Sequence, residues 1–276
     1  MVRHSIVAGR FYESDKKKLG EQIKECFLHK LGPGNLPEKH DKNILGIISP
    51  HAGYFFSGAC AAHGFKELGE GKNADVYIII GFSHSGHGAC TSLDDFETPL
   101  GIIKNYAEFT QQLINNGLRE NKAAHYSEHS IEVQLPFLQY MKKEARFVPV
   151  FADHNYNELA EIIKITIKEM NVKACLIASS DFTHYGMSYG YLPFTEDVKE
   201  NMYKLDKAAI DLILKNNGAD FINYTERTGA TICGRYAIAC MMRILNKKAR
   251  LLKYYTSGDV LGEYDNSVGY ASIVVE

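Results

Sequence analysis

The chain has 276 residues, 45% hydrophobic and 23% charged, proportions typical of a globular protein with a sizeable core. The net charge of −2 gives no general electrostatic basis for binding nucleic acid. No stretch approaches the ~18 apolar residues of a membrane span, no signal-peptide pattern follows Met1, and the six cysteines form no C-x-x-C pair. We therefore expect a cytoplasmic protein with reduced thiols and no membrane or nucleic-acid partner.

Apolar runs alternate with helical patterns along nearly the whole chain. The predicted strands are Ile44–Ser49, Val76–Ile80, Arg146–Phe151, Ala174–Ala178 and Ser267–Val275. The predicted helices are Asp15–Leu31, Ser57–Leu68, Ala107–Asn116, Ile131–Lys143, Asn155–Glu169, Glu196–Asn216 and Gly234–Leu245. Short apolar strands separated by helices are typical of crossover connections and a buried parallel sheet. We predict one α/β domain over residues 1–276, with a mainly parallel central sheet flanked by helices and antiparallel edge strands from Gly262–Val275.

Histidines follow three of these strands. His51, His84 and His184 come after the first, second and fourth predicted strands. Because open parallel sheets place their sites beyond the carboxyl ends of the strands, the three side chains are expected at one edge of the sheet. Each has a glycine or serine within two residues along the chain, which leaves room for a ligand. Neutral imidazole is the commonest protein ligand of transition metals, so the pattern favours a metal site.

Two other histidines have a structural interpretation. His154 follows the third strand where a helix N-cap is expected, with Asp153 or Asn155 as the cap, and we interpret it as structural. His129 lies between Glu128 and a serine just before a predicted helix. Either Glu128 and Ser130 cap this helix and His129 is a surface histidine, or His129 is a hydrogen-bond donor to a molecule in the same pocket.

The cysteines divide in a similar way. Cys233 stands directly before a helix, and a helix N-terminus lowers the pKa of a thiol and favours the metal-binding thiolate. Four others lie within predicted strands or helices and are expected to be small core residues: Cys26, Cys60, Cys175 and Cys240.

Taken in order, seven segments resemble the Memo family, whose prokaryotic members are called AmmeMemoRadiSam system protein B. They are Ala8-Gly9-Arg10-Phe11-Tyr12, Pro50-His51-Ala52-Gly53-Tyr54 with Ser57-Gly58, Gly81-Phe82-Ser83-His84, Glu128-His129-Ser130-Ile131-Glu132-Val133-Gln134-Leu135-Pro136-Phe137-Leu138, Ser179-Ser180-Asp181-Phe182-Thr183-His184-Tyr185-Gly186, Cys233-Gly234 and Ser267-Val268-Gly269-Tyr270-Ala271. The match spans essentially the whole chain, and the combination is highly specific.

The resemblance implies a fold similar to that of the class III extradiol dioxygenases, non-haem iron enzymes that open catechol rings. It also implies roles by position: His51, His84 and Cys233 as metal ligands, His184 as acid/base with Asp181 beside it, and His129 as a substrate-facing residue. The dioxygenases bind iron through two histidines and a glutamate, so Cys233 is a departure from their pattern. A thiolate keeps the ligand charge but shifts the preference toward copper(I), zinc or iron. It is also open to oxidation, which argues against ring opening.

Three functions are considered on this basis. The first is a metal-dependent oxidoreductase acting on a small or peptide-borne substrate, with Tyr54, Phe82 and Tyr185 as pocket walls. In this function His184 transfers protons, and Asp181 either fixes its tautomer or serves as an extra metal ligand. The second is a non-catalytic module that holds a peptide or protein partner in the cleft. The family association implies an AMMECR-type protein and a radical-SAM protein as partners. Metal-assisted hydrolysis comes last, because nothing in the sequence points to a scissile substrate. No P-loop, nucleophile elbow or dinucleotide glycine pattern is present, so we expect no nucleotide cofactor.

Overall fold

The computed structural model of the protein describes residues 1–38 and 40–276. The strands are β1 (Val2–Arg3), β2 (Gly46–Ser49), β3 (Val76–Gly81), β4 (Cys90–Thr91), β5 (Asp95–Thr98), β6 (Gly101–Asn105), β7 (Arg146–Phe151), β8 (Ala174–Ser179), β9 (His184–Gly186), β10 (Ala249–Thr256) and β11 (Asn266–Val275). The α-helices are α1 (Lys16–Leu28), α2 (Tyr54–Glu70), α3 (Ala107–Asn115), α4 (Lys122–Tyr126), α5 (Leu135–Met141), α6 (Tyr156–Met170), α7 (Val198–Leu214), α8 (Gly218–Thr228), α9 (Arg235–Leu245) and α10 (Ser257–Leu261). Short 3-10 helices cover Glu132–Gln134 and Met187–Tyr189.

The strands form one sheet in the order β1-β5-β6-β7-β3-β8-β2-β11-β10, with β4 added beside β7 and β9 beside β11. The central strands β6, β7, β3, β8 and β2 run parallel to one another. This confirms the predicted α/β fold with a mainly parallel sheet. Within residues 1–38 and 40–276, no helix has the length and apolar character needed to cross a membrane.

Both faces of the sheet are covered, which explains why the central strands are continuous apolar runs. In β2, Ile47 packs into a cluster with residues of α1, α2 and α5. Its neighbour Ile48 points the other way, into a cluster with residues of α3, α6, α7, α8 and α9. Both side chains are fully buried, and each contributes roughly 1.5–3 kcal/mol from burial. The alternation of neighbouring residues between two cores therefore holds the sheet in register.

The carboxyl ends of three parallel strands meet at one level of the sheet. β8 lies between β2 and β3, although the chain runs directly from β2 through α2 to β3. Ser49 pairs with Ser179, and Ile80 pairs with Ala178. The loops that leave β2, β3 and β8 therefore begin side by side, as expected for the site of an open parallel sheet.

Some predicted elements differ from the structure. β11 is antiparallel as predicted, but it is not an edge strand, because β10 pairs with its outer side. The helix predicted over Ile131–Lys143 is a 3-10 turn followed by α5, with a proline in the first turn of α5. That proline has no N–H to continue a longer hydrogen-bonded helix from the preceding turn. Helix α8, which begins after an Asn217 cap, was not predicted.

Candidate functional site

Three histidines converge at the carboxyl edge of the sheet. His51 follows β2, and His84 follows β3. His129 comes from the loop before the 3-10 helix at Glu132–Gln134. This loop lies against the end of β3. A Cβ atom on Gly81 would lie 2.7 Å from Ser130 Oγ, so a glycine is needed at this strand end. One ligand atom from each of the three histidines lies within 4.8 Å of the other two, so the group could hold a metal ion.

Glu128 holds His84 in place. His84 Nδ1 lies 2.9 Å from Glu128 Oε1 and donates to the carboxylate, leaving Nε2 available to a ligand. The same carboxylate accepts from the backbone N–H groups of His84 at 2.6 Å and of His129 and Ser130 at 2.8 Å each. Burial alone would lower the pKa of His84, but the hydrogen bond and charge of Glu128 outweigh it and raise that pKa. A carboxylate behind a histidine is the usual support of a metal-binding imidazole.

His51 is the most buried of the three, with 1% of its surface exposed. Burial, followed by the nearby His129 and His84, lowers its pKa well below the ordinary range. Its Nδ1 contacts Ser179 Oγ at 2.9 Å. The imidazole is therefore neutral in the metal-free protein, and this is the form that binds metal.

His129 belongs to the site and not to the exposed surface. Its ring stacks on that of His84 with a centroid distance of 4.7 Å and meets the edge of Phe11 at 4.8 Å. Burial lowers its pKa. Glu128, the alternative helix cap, instead binds the loop amides at residues 84, 129 and 130. The structure thus favours the placement of His129 over the pocket, while its role stays a prediction.

Cys233 lies beside His51 but outside the group of three histidines. Its Sγ is 3.3 Å from His51 Nε2 and accepts from the backbone N–H of Asp181 at 3.2 Å. Cys233 can lie this close to the end of β8 because the next residue, Gly234, has no side chain. A Cβ at residue 234 would lie 2.4 Å from the carbonyl oxygen of Ser179. The expectation of a lowered thiol pKa is wrong for the metal-free protein: burial and then Asp181 raise it. Desolvation outweighs the helix N-terminus, so the thiol is protonated unless a cation replaces the proton.

Asp181 and His184 follow β8 on the same side of the sheet. Asp181 Oδ1 accepts from the backbone N–H groups of His51 at 2.8 Å and Ala52 at 3.3 Å, and burial raises the pKa of this carboxyl. His184 Nδ1 donates to the carbonyl oxygen of Thr231 at 3.1 Å, which leaves Nε2 for a pocket molecule. Thr231, and not Asp181 as predicted, therefore fixes the tautomer of His184, because a carbonyl only accepts.

These groups open into one pocket of about 320 Å³. It is lined by Phe11, His51, Ala52, Gly53, Phe56, His84, His129, Asp181, His184, Tyr189, Ser257, Leu261, Asn266, Val268 and Tyr270. Four imidazoles and one carboxylate are thus exposed to a cavity large enough for a small molecule.

The predicted aromatic walls need correction. Tyr54 begins α2 facing the core, with its hydroxyl donating to the carbonyl of Val133 at 2.8 Å. Tyr185 is buried and donates to the carbonyl of Phe194 at 2.7 Å. Phe82 packs behind His84 with ring centroids 5.1 Å apart. In the part of the chain that the structure describes, the aromatic lining comes from four other residues: Phe11, Phe56, Tyr189 and Tyr270.

The remaining histidine and cysteine predictions concern residues away from the pocket. His154 is exposed just before Asn155, the N-cap of α6, whose backbone N–H donates to Asp153 Oδ1 at 2.8 Å. The four cysteines expected in the core, Cys26, Cys60, Cys175 and Cys240, are buried and unpaired within the described residues. A larger surface depression of about 590 Å³ between α6 and α9 does not include any residue of this pocket.

The residues that orient the histidines were missed or assigned another role from the sequence. Glu128 was interpreted as a cap, and Ser179, Gln134 and Thr231 were given no role. The acidic residue directly before His129 was the one visible signal for the carboxylate that supports a histidine. The other three act through contacts between distant segments, which sequence spacing does not show.

The donor set suits a transition-metal ion. His51 and His84 each have one nitrogen hydrogen-bonded behind the site, which directs the other forward. Ligand bonds of about 2.0–2.3 Å place the donor atoms of one ion roughly 3–4 Å apart, and Cys233 Sγ lies 3.3 Å from His51 Nε2. The imidazoles supply neutral donor nitrogens, while the thiolate that forms when an ion replaces the thiol proton, together with the nearby carboxylates, can balance the charge of a divalent ion.

Fold and site together define an α/β protein with a histidine-lined pocket at the carboxyl edge of a parallel sheet. A family model described as Memo-like protein matches residues 3–274. A MEMO1 family protein of Methanopyrus kandleri is 39% identical over 290 residues, with 99% of each chain covered. A MEMO1 family protein of Thermotoga neapolitana is 36% identical over 287 residues, with 100% of each chain covered.

The chain therefore belongs to the Memo family, which confirms the resemblance seen in the sequence. A further relative, a MEMO1 family protein of Methanocaldococcus jannaschii, is 35% identical over 296 residues. It is covered over 99% of its length, and this chain over 100%. The similarity to extradiol dioxygenases stays a prediction from the sequence.

Proposed function

We propose that the protein binds a transition-metal ion through His51, His84 and Cys233 and uses it in redox chemistry on a small or peptide-borne substrate. The observation that carries the metal site is the convergence of His51, His84 and His129, and the 3.3 Å contact of Cys233 Sγ with His51 Nε2 brings the cysteine into the proposed ligand set. Around it, Glu128 and Ser179 each fix one ring nitrogen of a proposed ligand. This support orients imidazoles before an ion binds, so less ordering is needed at binding.

Cys233 and His129 are the two candidates for the third ligand. His129 lines the pocket and stacks on His84, which suits a residue that faces a substrate. Cys233 Sγ lies against His51 Nε2 and accepts a backbone N–H, and that hydrogen bond would favour the thiolate form. A thiolate beside imidazoles favours iron, copper or zinc. We therefore assign the third position to Cys233.

Cobalt(II) titration separates the two ligand sets. Wild type is titrated without oxygen beside Cys233→Ser and His129→Gln, with His154→Gln as a control, because His154 is exposed and away from the pocket. The proposal expects a thiolate-to-cobalt absorption band in wild type, in His129→Gln and in the control, and its loss in Cys233→Ser. Loss of binding only in His129→Gln would replace Cys233 by His129. Negligible binding by wild type would reject the metal site.

His184 is proposed to move protons in the pocket. When bound, an ion would supply Lewis acidity and, for iron or copper, a redox couple. His184 Nε2 is free to accept a proton from a substrate hydroxyl or thiol, because Nδ1 is held by the carbonyl of Thr231. Asp181 orients the loop after β2 through the amides of His51 and Ala52.

A substrate screen tests this role. Metal-loaded protein is incubated with small phenols, thiols and tyrosine peptides under oxygen, and oxygen consumption is followed. His184→Ala should lose turnover while keeping its metal content. Unaltered turnover in this variant would remove His184 from the mechanism, and the absence of turnover with every compound would favour the binding function.

A second candidate function, partner binding, is favoured by the pocket mouth. Tyr189 and Leu261 line the pocket yet are 45% and 53% exposed, and Met187 of the same short turn as Tyr189 is 79% exposed. Clustered exposed apolar side chains often mark a contact for another chain. An AMMECR-type protein and a radical-SAM protein are the partners proposed. Binding that survives chelation but is lost in Met187→Ser with Leu261→Ser would favour this function.

A further inference from the structure

A buried chain of hydrogen bonds lies behind His51. Ser179 Oγ is 2.6 Å from the carbonyl oxygen of Ser130 and 2.9 Å from His51 Nδ1. A carbonyl oxygen only accepts, so the single hydroxyl proton of Ser179 is donated to Ser130. The contact between Ser179 and His51 must then use a hydroxyl lone pair, with the ring nitrogen as the donor.

Gln134 occupies the remaining position around this hydroxyl. Its Nε2 donates to the carbonyl oxygen of Pro50 at 2.9 Å and to Ser179 Oγ at 2.8 Å. The reverse orientation of the amide would set its oxygen against a carbonyl oxygen, so the amide direction is fixed by its surroundings. Ser179 thus accepts from Gln134 with one lone pair and from His51 with the other.

We propose that Ser179 and Gln134 are positioning residues that hold His51 as the Nδ1–H tautomer and present its bare Nε2 to the site. That nitrogen lies 3.3 Å from Cys233 Sγ. All four residues of this hydrogen-bond chain are buried: Ser179 and Ser130 are 0% exposed, and Gln134 and His51 are 1% exposed. Solvent therefore does not readily replace a lost hydrogen bond.

The two proposed ligand histidines therefore have different supports. His84 donates to the charged carboxylate of Glu128, whereas His51 donates to a neutral hydroxyl. Donation to a carboxylate raises the basicity of a ligand more than donation to a hydroxyl. The tautomer assignment stands on the metal-free geometry, and only its consequence for metal affinity rests on the proposed function.

Nitrogen NMR of the metal-free wild type tests the tautomer directly. Histidine is labelled with 15N, long-range proton–nitrogen spectra are recorded in the presence of a chelator, and the His51 signals are assigned from their loss in His51→Gln. We expect Nδ1 of His51 to be protonated and Nε2 to resonate as a bare nitrogen. A protonated Nε2 would overturn the proposal.

Removing the hydroxyl tests its role. Ser179→Ala should show a mixture of His51 tautomers and bind zinc(II) about 10- to 100-fold more weakly in competition with a chelating dye. Ser272→Ala is the matched control, because the hydroxyl of Ser272 is also buried in the sheet but has no hydrogen-bond partner in the described chain. The control should match wild type in both measurements.

The outcomes separate this proposal from the metal site itself. An unchanged tautomer together with unchanged zinc affinity in Ser179→Ala would overturn the positioning role. If Ser179→Ala does not fold, Gln134→Met replaces it, and the same criteria apply because loss of the amide frees the hydroxyl to turn. Failure of wild type to bind zinc, copper or iron would reject the proposed function and leave the tautomer result standing.

Discussion

Replacing Glu128 by glutamine keeps the size of a buried side chain and removes its charge. The carboxylate accepts from Nδ1 of His84 at 2.9 Å and from three backbone N–H groups at 2.6–2.8 Å. A glutamine side chain has one oxygen for these donors and turns an NH₂ group toward the rest. We therefore expect Glu128→Gln to destabilise the fold and to weaken metal binding through His84.

The size of the expected destabilisation follows from the pKa of Glu128. Burial alone would raise it, but the hydrogen bond and charge of His84 and the backbone N–H groups lower it to about 2, from an ordinary value of 4.5. Each tenfold change in ionisation corresponds to ~1.4 kcal/mol, so the ionised carboxylate contributes about 3 kcal/mol to folding. Because the pKa is lowered by folding, this contribution is present above pH ~4.5 and is lost as the pH falls through about 2.

Urea unfolding of the metal-free proteins measures this contribution. At neutral pH, Glu128→Gln should be less stable than wild type by about 2–4 kcal/mol. The difference should shrink as the pH falls from ~4.5 toward ~2, because the wild-type carboxyl becomes protonated. Glu21→Gln, on the exposed face of α1, is the control and should stay within about 0.5 kcal/mol of wild type. Equal stability at neutral pH, or a difference that does not change with pH, would show that the ionised Glu128 does not stabilise the fold.

Three further outcomes are expected. Gly234→Ala places a Cβ 2.4 Å from a backbone oxygen of β8, so its free energy of unfolding should fall by about 1–3 kcal/mol or more. Gly20→Ala, whose Cβ meets nothing within 4 Å, should gain about 0.5–1 kcal/mol. Equal melting temperatures of the two variants would contradict this. Arg3→Met leaves a buried carboxylate without its 2.6 Å partner and should cost about 3–5 kcal/mol in urea unfolding; a cost below ~1 kcal/mol would contradict this. In NMR titration of the metal-free protein, His84 should protonate at higher pH than His51, and the reverse order would contradict the assigned environments.

The sequence predicted the parts of the site that depend on strand ends. His51 and His84 were placed together because each follows an apolar strand, and parallel strands end at one edge of a sheet. The local sequence determines where each strand stops, so this reasoning needed no knowledge of side-chain geometry. The order of the strands, with β8 between β2 and β3, was not needed to bring the two histidines to the same edge.

The predictions that failed concern the direction in which a side chain points, its burial, and contacts between segments distant in the sequence. Tyr54 was expected to face the pocket, but α2 begins at that residue and directs the ring into the core. Cys233 was expected to have a low thiol pKa from its helix N-terminus, but burial dominates. The hydroxyl of Ser179 behind His51 belongs to a segment 128 residues away in the chain. No local pattern reports such a contact.

Anomalous diffraction at the metal edge, from crystals loaded with metal without oxygen, tests the central claim most directly. We expect one anomalous peak bonded to Nε2 of His51, Nε2 of His84 and Sγ of Cys233, with His129 facing the pocket and Ser179 still bonded to Nδ1 of His51. A peak bonded to other residues, or no peak in protein that holds one metal per chain in solution, would contradict it.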